Sequence, residues 1–164
     1  MQTVNDLFLL FLKDIYFAER QILRALPKMA KAAQSEQLKK ALLQHREETE
    51  TQVERLVQVF EQLGKRAQGV TCEAIKGLVE ETEEVIEDFK AGAVRDAGLV
   101  ACAQAVEHYE MARYGALIAW AKASGLNDAV KLLEETLAEE KKADTLLNEL
   151  ANSQINKEAV KSAA

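Results

Sequence analysis

Six residues on four helix-like segments carry the chemistry legible in this sequence: Glu19, His45 with Glu48, Glu107 with Glu110, and Glu140. Each acid stands where the helical period turns towards a core. An isolated carboxylate moved into an apolar interior costs several kcal/mol unless it is paired, protonated or bound to a cation. Carboxylates with one imidazole make a donor set suited to iron or manganese rather than copper, and one that drifts towards magnesium or calcium if few nitrogens take part. A metal site is therefore the chemistry these residues predict, with Gln52, Tyr114 and Asp144 at its border.

Four helices are needed to position them. In the first, Leu12, Ile15, Glu19, Ile22, Leu26 and Met29 step by three and four, the spacing of an inward-facing stripe, and Glu19 interrupts an apolar line. The second stripe, Leu38, Leu42, His45, Glu48, Gln52, Leu56, Val59 and Leu63, is apolar at its ends and polar at its centre. The third, Val100, Ala103, Glu107, Glu110, Tyr114, Leu117 and Ala121, carries an E-x-x-E pair on one face; the fourth runs Leu133, Leu137, Glu140, Asp144, Leu147 and Ala151.

The boundaries follow from capping residues. Thr3 to Asp6 opens a helix that reaches about Ala33, Ser35 is the expected cap of a second ending at Gly64, and the basic stretch Lys65 to Val70 reads as loop. A shorter amphipathic helix over about 71–91 connects to a third long helix from Ala93 to Ser124. Asn127 is the expected cap of the fourth, which fades near Asn152, so the bundle spans 1–152 and residues 153–164 form a frayed tail. Glu19 lies 15 residues before Gln34 and Glu48 lies 14 after it. At about 1.5 Å per residue both sit roughly 21–22 Å from that turn. Glu110 and Glu140 are each 15 residues from Gly125. The acids therefore converge at mid-height.

Composition agrees with a helical domain. The chain has 164 residues, 48% hydrophobic but only 5% aromatic, and one proline, Pro27; that is one all-α domain, large enough to bury a core without a metal to hold it together. A net charge of −6 argues against duplex DNA or an anionic membrane as partner. Cys72 and Cys102 fit no disulfide framework, and the apolar run near the start is broken by Lys13 and Asp14, so a cytoplasmic chain without a signal peptide is expected. No phosphate loop, nucleophile triad or cysteine-based zinc motif is present.

Four stretches, DIYFAERQIL, QHREETETQVERL, VRDAGLVACAQAVEHYEMARYGAL and LLEETLAEEKKADTLL, cover the acids and their surroundings. Together they make the chain resemble the YciF/YciE-type stress-associated proteins of bacteria, a branch of the ferritin-like superfamily. The resemblance implies an antiparallel four-helix bundle with a crossover helix between its second and third helices, a homodimer, a rubrerythrin-like carboxylate arrangement and a role in stress response. One departure stands out. Ferritin-like di-iron proteins carry E-x-x-H on two helices, whereas here Glu47 is followed by Glu50, Glu48 by Thr51, and Glu139 and Glu140 by Lys142 and Ala143. Only a reversed H-x-x-E, His45 to Glu48, brings in an imidazole.

The leading expectation is a dinuclear iron or manganese centre reacting with dioxygen or peroxide, with Glu19 and Glu140 as end ligands and Glu48 with Glu107 or Glu110 bridging. His45 could ligate directly or orient Glu48. His108 points about 100° away from Glu107, towards a small-residue stripe. Glu47, Glu50, Glu80, Glu81, Glu83, Glu84 and Glu139 read as solvated acids. Two further functions stand beside this one: a metal-free structural or partner-binding bundle, and a mini-ferritin-like iron store.

Overall fold

The structure is a computed structural model that describes residues 3–162. Four long helices, α1 (Val4–Ala32), α2 (Glu36–Gln62), α4 (Ala93–Ala123) and α5 (Asn127–Leu150), form two hairpins joined by the shorter crossover helix α3 (Glu73–Asp88). This is the all-α, four-helix arrangement with a crossover that the spacing predicts. Each hairpin turns in a few residues, so α1 and α2 run antiparallel, as do α4 and α5. α2 packs on α5 and α1 on α4, while α3 lies against α1 and α4.

Local chemistry fixes the ends. Thr3 and Asp6 form a reciprocal capping box, Thr3 Oγ1 accepting from the Asp6 amide at 3.1 Å and Asp6 Oδ2 accepting from the Thr3 amide at 3.1 Å. Ser35 caps α2 by accepting from the Leu38 amide. Gly64 (φ +63°) and Gly125 (φ +71°) take the left-handed turn after α2 and α4 that a Cβ would oppose. Asn127 is the first residue of α5 rather than its cap; Leu126 stands at the cap position and makes no side-chain bond there.

The first hairpin is clamped by the start of α4. Buried Asp96 accepts from the Gln34 amide at 2.8 Å and from the Ser35 amide at 2.7 Å, closing both donors of the α1–α2 turn. Charge-assisted bonds of this kind contribute about 1.5–3 kcal/mol each. Asp96→Ala should therefore lower the unfolding free energy by about 3 kcal/mol. Urea unfolding followed by circular dichroism measures it, and a loss under about 1 kcal/mol would contradict the clamp.

The chain end differs from expectation. The helix does not stop near Asn152: a π-helical turn, Ala151–Ile155, leads directly into α6 (Asn156–Ser162), which packs on α4. Leu147, Ala151 and Ile155 are all buried, so an apolar stripe at four-residue spacing continues past the acid layer. The wider turn keeps residues at that spacing in line where a regular α-helix would rotate them off the face. Residues 1–2, at the start of the expected bundle, and 163–164, at the end of the expected tail, lie outside the described residues.

Candidate metal centre

The α1 and α4 stripes are buried as their spacing predicts: every member of each, Glu19, Glu107 and Glu110 included, faces the core. α5 contributes Glu140, fully buried, between Leu133 and Leu147. α2 departs in one place. Around the acid layer its core-facing residues are Leu42, His45, Thr49, Gln52 and Leu56, and the Glu48 side chain keeps 26% of its surface exposed. At 100° per residue Thr49 lies about 40° from His45, while Glu48 lies about 60° off on the other side. Glu48 is thus a rim residue. Its Oε1 accepts from Gln44 Nε2 at 3.2 Å and its Oε2 lies 3.6 Å from His45 Nδ1.

His45 is the hub. Its Nε2 lies 3.1 Å from Glu107 Oε1 and 3.6 Å from Glu140 Oε2. One donor atom from each of His45, Glu107, Glu110 and Glu140 can be chosen so that all lie within 4.8 Å of one another. Opposite ligands about 2.1 Å from a shared ion would stand about 4.2 Å apart, so the four side chains need little movement to close on one cation. Glu19 extends the row beyond Glu110 and accepts a short hydrogen bond from the Tyr114 hydroxyl. Glu19, Glu107, Glu110 and Glu140 thus come from three helices at one level, with His45 supplied by the fourth.

Protein groups satisfy this cluster only in part. Glu19 Oε2, Glu107 Oε2 and both oxygens of Glu110 and Glu140 are buried without a hydrogen-bond partner, and neither His45 nitrogen makes a bond of good geometry. Burial pushes the Glu19 carboxyl up to about 7, against the Tyr114 bond that favours its charged form. Glu110 is pushed well above the usual carboxylate range by burial and by Glu140, Glu19 and Glu107. Glu140 is raised likewise by burial, Glu19 and Glu107, with His45 opposing. Burial disfavours the His45 imidazolium, but the contacts and charges of Glu107, Glu48 and Glu140 together outweigh it and hold the pKa well above 6.5. Buried polar atoms are hydrogen-bonded almost without exception in folded proteins. A set of six carboxylate oxygens without partners around one imidazole has the chemistry of a ligand shell.

Two bordering residues serve elsewhere. Gln52 is buried but turns its amide to Glu139, donating at 3.0 Å. Asp144 faces outward, accepting from Gln104 Nε2 at 3.1 Å and lying 3.2 Å from Nε2 of exposed His108, so both leave the site. Glu139 is also not a simple solvated acid: Arg55 grips it through both terminal nitrogens, at 2.7 and 2.8 Å, and reaches Thr136 Oγ1 at 3.3 Å. Arg55 was legible only as a cation three positions after Gln52; its partner on α5 was not. Tyr114 remains at the border, and Glu47, Glu50, Glu80, Glu81, Glu83 and Glu84 are exposed as expected.

Comparison with known proteins agrees with this fold. The chain is 47% identical to protein YciF of Escherichia coli K12 over 160 residues, covering 97% of this chain and 96% of that one. The crystal structure of that protein, described as a stress protein, matches with a TM-score of 0.91 over 96% of this chain and 99% of its own. YcfI of Rhodopseudomonas palustris is 52% identical, with a TM-score of 0.88 over 90% of this chain and 94% of its own. A protein from Xanthomonas campestris pv. campestris, 20% identical with a TM-score of 0.77 over 99% of this chain and 100% of its own, shares the fold. The sequence profile of a family described as a domain of unknown function, DUF892, matches residues 3–160. The chain, a homologue of YciF, belongs to the DUF892 family.

Proposed function

We propose that the buried cluster binds two iron ions, or manganese in their place, and that the chain acts on dioxygen or peroxide in a stress response. The observation that carries this reading is the incompletely satisfied buried acid: Glu107, Glu110 and Glu140 hold carboxylate oxygens without partners, next to His45. Four donors within 4.8 Å suit one ion, and Glu19, beside Glu110, lengthens the row towards two. The four buried carboxylates, fully ionised, would balance two divalent cations.

In that reading Glu19 and Glu140 are end ligands, and Glu107 and Glu110, one turn apart on α4, lie between them. Glu48 orients His45 through Nδ1 rather than bridging, because it stands on the rim. Ferrous ions there would supply electrons to the oxidant. The Tyr114 hydroxyl donates to Glu19 and would hold its carboxylate in place as a ligand. Leu12, Ile15, Leu56 and Leu117, all fully buried, keep bulk water from the bundle interior.

The proposal includes a homodimer in the cytoplasm, without nucleic-acid or membrane partners. Its support is the net charge of −6 and the exposed Val4, Leu7 and Leu10 on α1. Among the described residues no helix is long and apolar enough to cross a membrane. A metal-free bundle is favoured by one observation, the raised carboxyl pKa values, since protons alone could neutralise the cluster. Elemental analysis of chain purified without chelator separates the two. About two equivalents of iron or manganese per chain are expected, with both lost in Glu107→Gln/Glu140→Gln. No metal after anaerobic ferrous loading would overturn the proposal.

A further inference from the structure

The basic loop Lys65 to Val70 has no part in the acid cluster, yet the fold gives it a defined position. The Val70 amide donates to the Lys13 carbonyl at 3.2 Å, pinning the loop along α1. Gly69 lies flush against Phe17: a Cβ there would stand 3.0 Å from Phe17 Cβ, so glycine eases this close approach of the loop. The contact holds Arg66 and Gln68 across from Arg20, Gln21 and Arg24 of α1, with Tyr16 in the floor of a surface groove of about 550 Å³.

The charge of this groove runs against that of the chain. The protein carries −6 overall, but no carboxylate lines the groove, while three arginines do. Among the described residues the arginines in ion pairs are Arg46, Arg55 and Arg113; Arg20, Arg24 and Arg66 are in none. Arg20 rests over the Tyr16 ring, its Cζ 5.7 Å from the centroid, which restrains the guanidinium while leaving its N–H edges free. Three unpaired guanidinium groups repel one another unless an anion joins them. On a helix surface a glutamate one turn away stabilises an arginine, as Glu50 does for Arg46. Here Arg20 is answered at that spacing by Tyr16 and Arg24.

We propose that this groove binds a phosphate-bearing small molecule with two or more phosphoryl groups. Guanidinium groups match phosphate oxygens with paired, charge-assisted hydrogen bonds, and three of them suit a multiply charged anion better than a single carboxylate, which one arginine satisfies. The amides of Gln21 and Gln68 supply neutral donors beside them. The size falls within the range of small-molecule sites. A free diphosphate and a nucleoside diphosphate share this chemistry.

Calorimetric titration of the full chain, freed of metal by chelator and dialysed, with inorganic pyrophosphate and separately with ADP tests it. Saturable binding at one site per chain is expected, weakening as salt is added. Tighter binding of ADP than of pyrophosphate would identify the nucleotide as the source of the phosphates; equal or weaker binding would identify the free diphosphate. Arg24→Gln/Arg66→Gln should weaken binding about tenfold or more, with an unchanged thermal melt because both side chains are exposed. Lys122→Gln, removing a lysine paired with Glu134 elsewhere, should bind as the parent does. Absence of saturable binding at millimolar pyrophosphate in low salt would overturn the proposal, as would equal binding by the double variant. Unchanged binding together with altered sedimentation of the unliganded double variant would instead mark the groove as a contact between copies.

Discussion

Adding ferrous or manganous ion to the chelator-stripped chain is expected to raise its melting temperature by about 10 °C, with saturation near two equivalents. The magnitude follows from mass action: a ligand at a thousand times its dissociation constant stabilises the native state by about 4 kcal/mol, and for a chain of this size each kcal/mol moves the midpoint by about 2–4 °C. The physical source is the buried acid. Without metal the fold carries Glu19, Glu107, Glu110, Glu140 and His45 in a desolvated cluster in which six carboxylate oxygens lack partners; a bound cation would be held by these residues and would offset their mutual repulsion. Glu110→Gln should abolish most of the shift while raising the melting temperature of the stripped protein at pH 8, because it removes a carboxyl whose burial opposes ionisation and so opposes folding at that pH. Differential scanning fluorimetry with and without metal reads both effects. A stripped variant that melts lower than the stripped parent at pH 8 would mean that Glu110 is held by protein contacts and not by a cation.

Stability of the stripped chain should fall as pH rises from 5 to 8. Glu19 moves from an unfolded value of 4.5 to about 7 through burial, so across that window the folded state holds a proton that the unfolded state has released. An acid raised in this way loses stability between its unfolded and folded pKa, and this one group is worth about 3 kcal/mol. Glu110 and Glu140 are raised by burial and act in the same direction. So does His45, whose raised pKa contributes stability that is complete below 6.5 and disappears as pH climbs through its folded value. Glu48 is lowered by its contact with His45, so its contribution is present above 4.5 and is lost only on further acidification. Metal reverses the dependence, because cations displace these protons and bind more tightly as pH rises. Urea unfolding at pH 5 and pH 8, stripped and loaded, gives the four numbers. A stripped chain equally stable at both values would show that these acids are solvated or paired.

Much of this architecture was legible because two signals coincide in it. Apolar residues at steps of three and four mark the four stripes, and Gly64, Gly125 and Ser35 mark the turns, so counting from the turns put Glu19, Glu107, Glu110 and Glu140 at one level. The failures share a cause. Stepping by three or four leaves two adjacent candidates at each turn, and on α2 the acid at 48 was chosen where the threonine at 49 faces inward. Asp144 met the same ambiguity: an inward step by spacing, an outward one in the fold, where Gln104 and His108 take it. The Arg55–Glu139 pair joins α2 to α5 across 84 residues, and no local period reports such a partner. The helical continuation past α5 was missed because polar Asn152, Ser153 and Gln154 look like fraying, while the buried Ala151 and Ile155 four residues apart are the signal that counts.

The most direct test is anomalous diffraction at the iron or manganese edge from crystals of metal-loaded chain. The account predicts two anomalous peaks per chain within the row from Glu19 through Glu110, Glu107 and Glu140 to His45. Density with no peak in that row, or peaks confined to exposed acids such as Glu47 and Glu84, would contradict it.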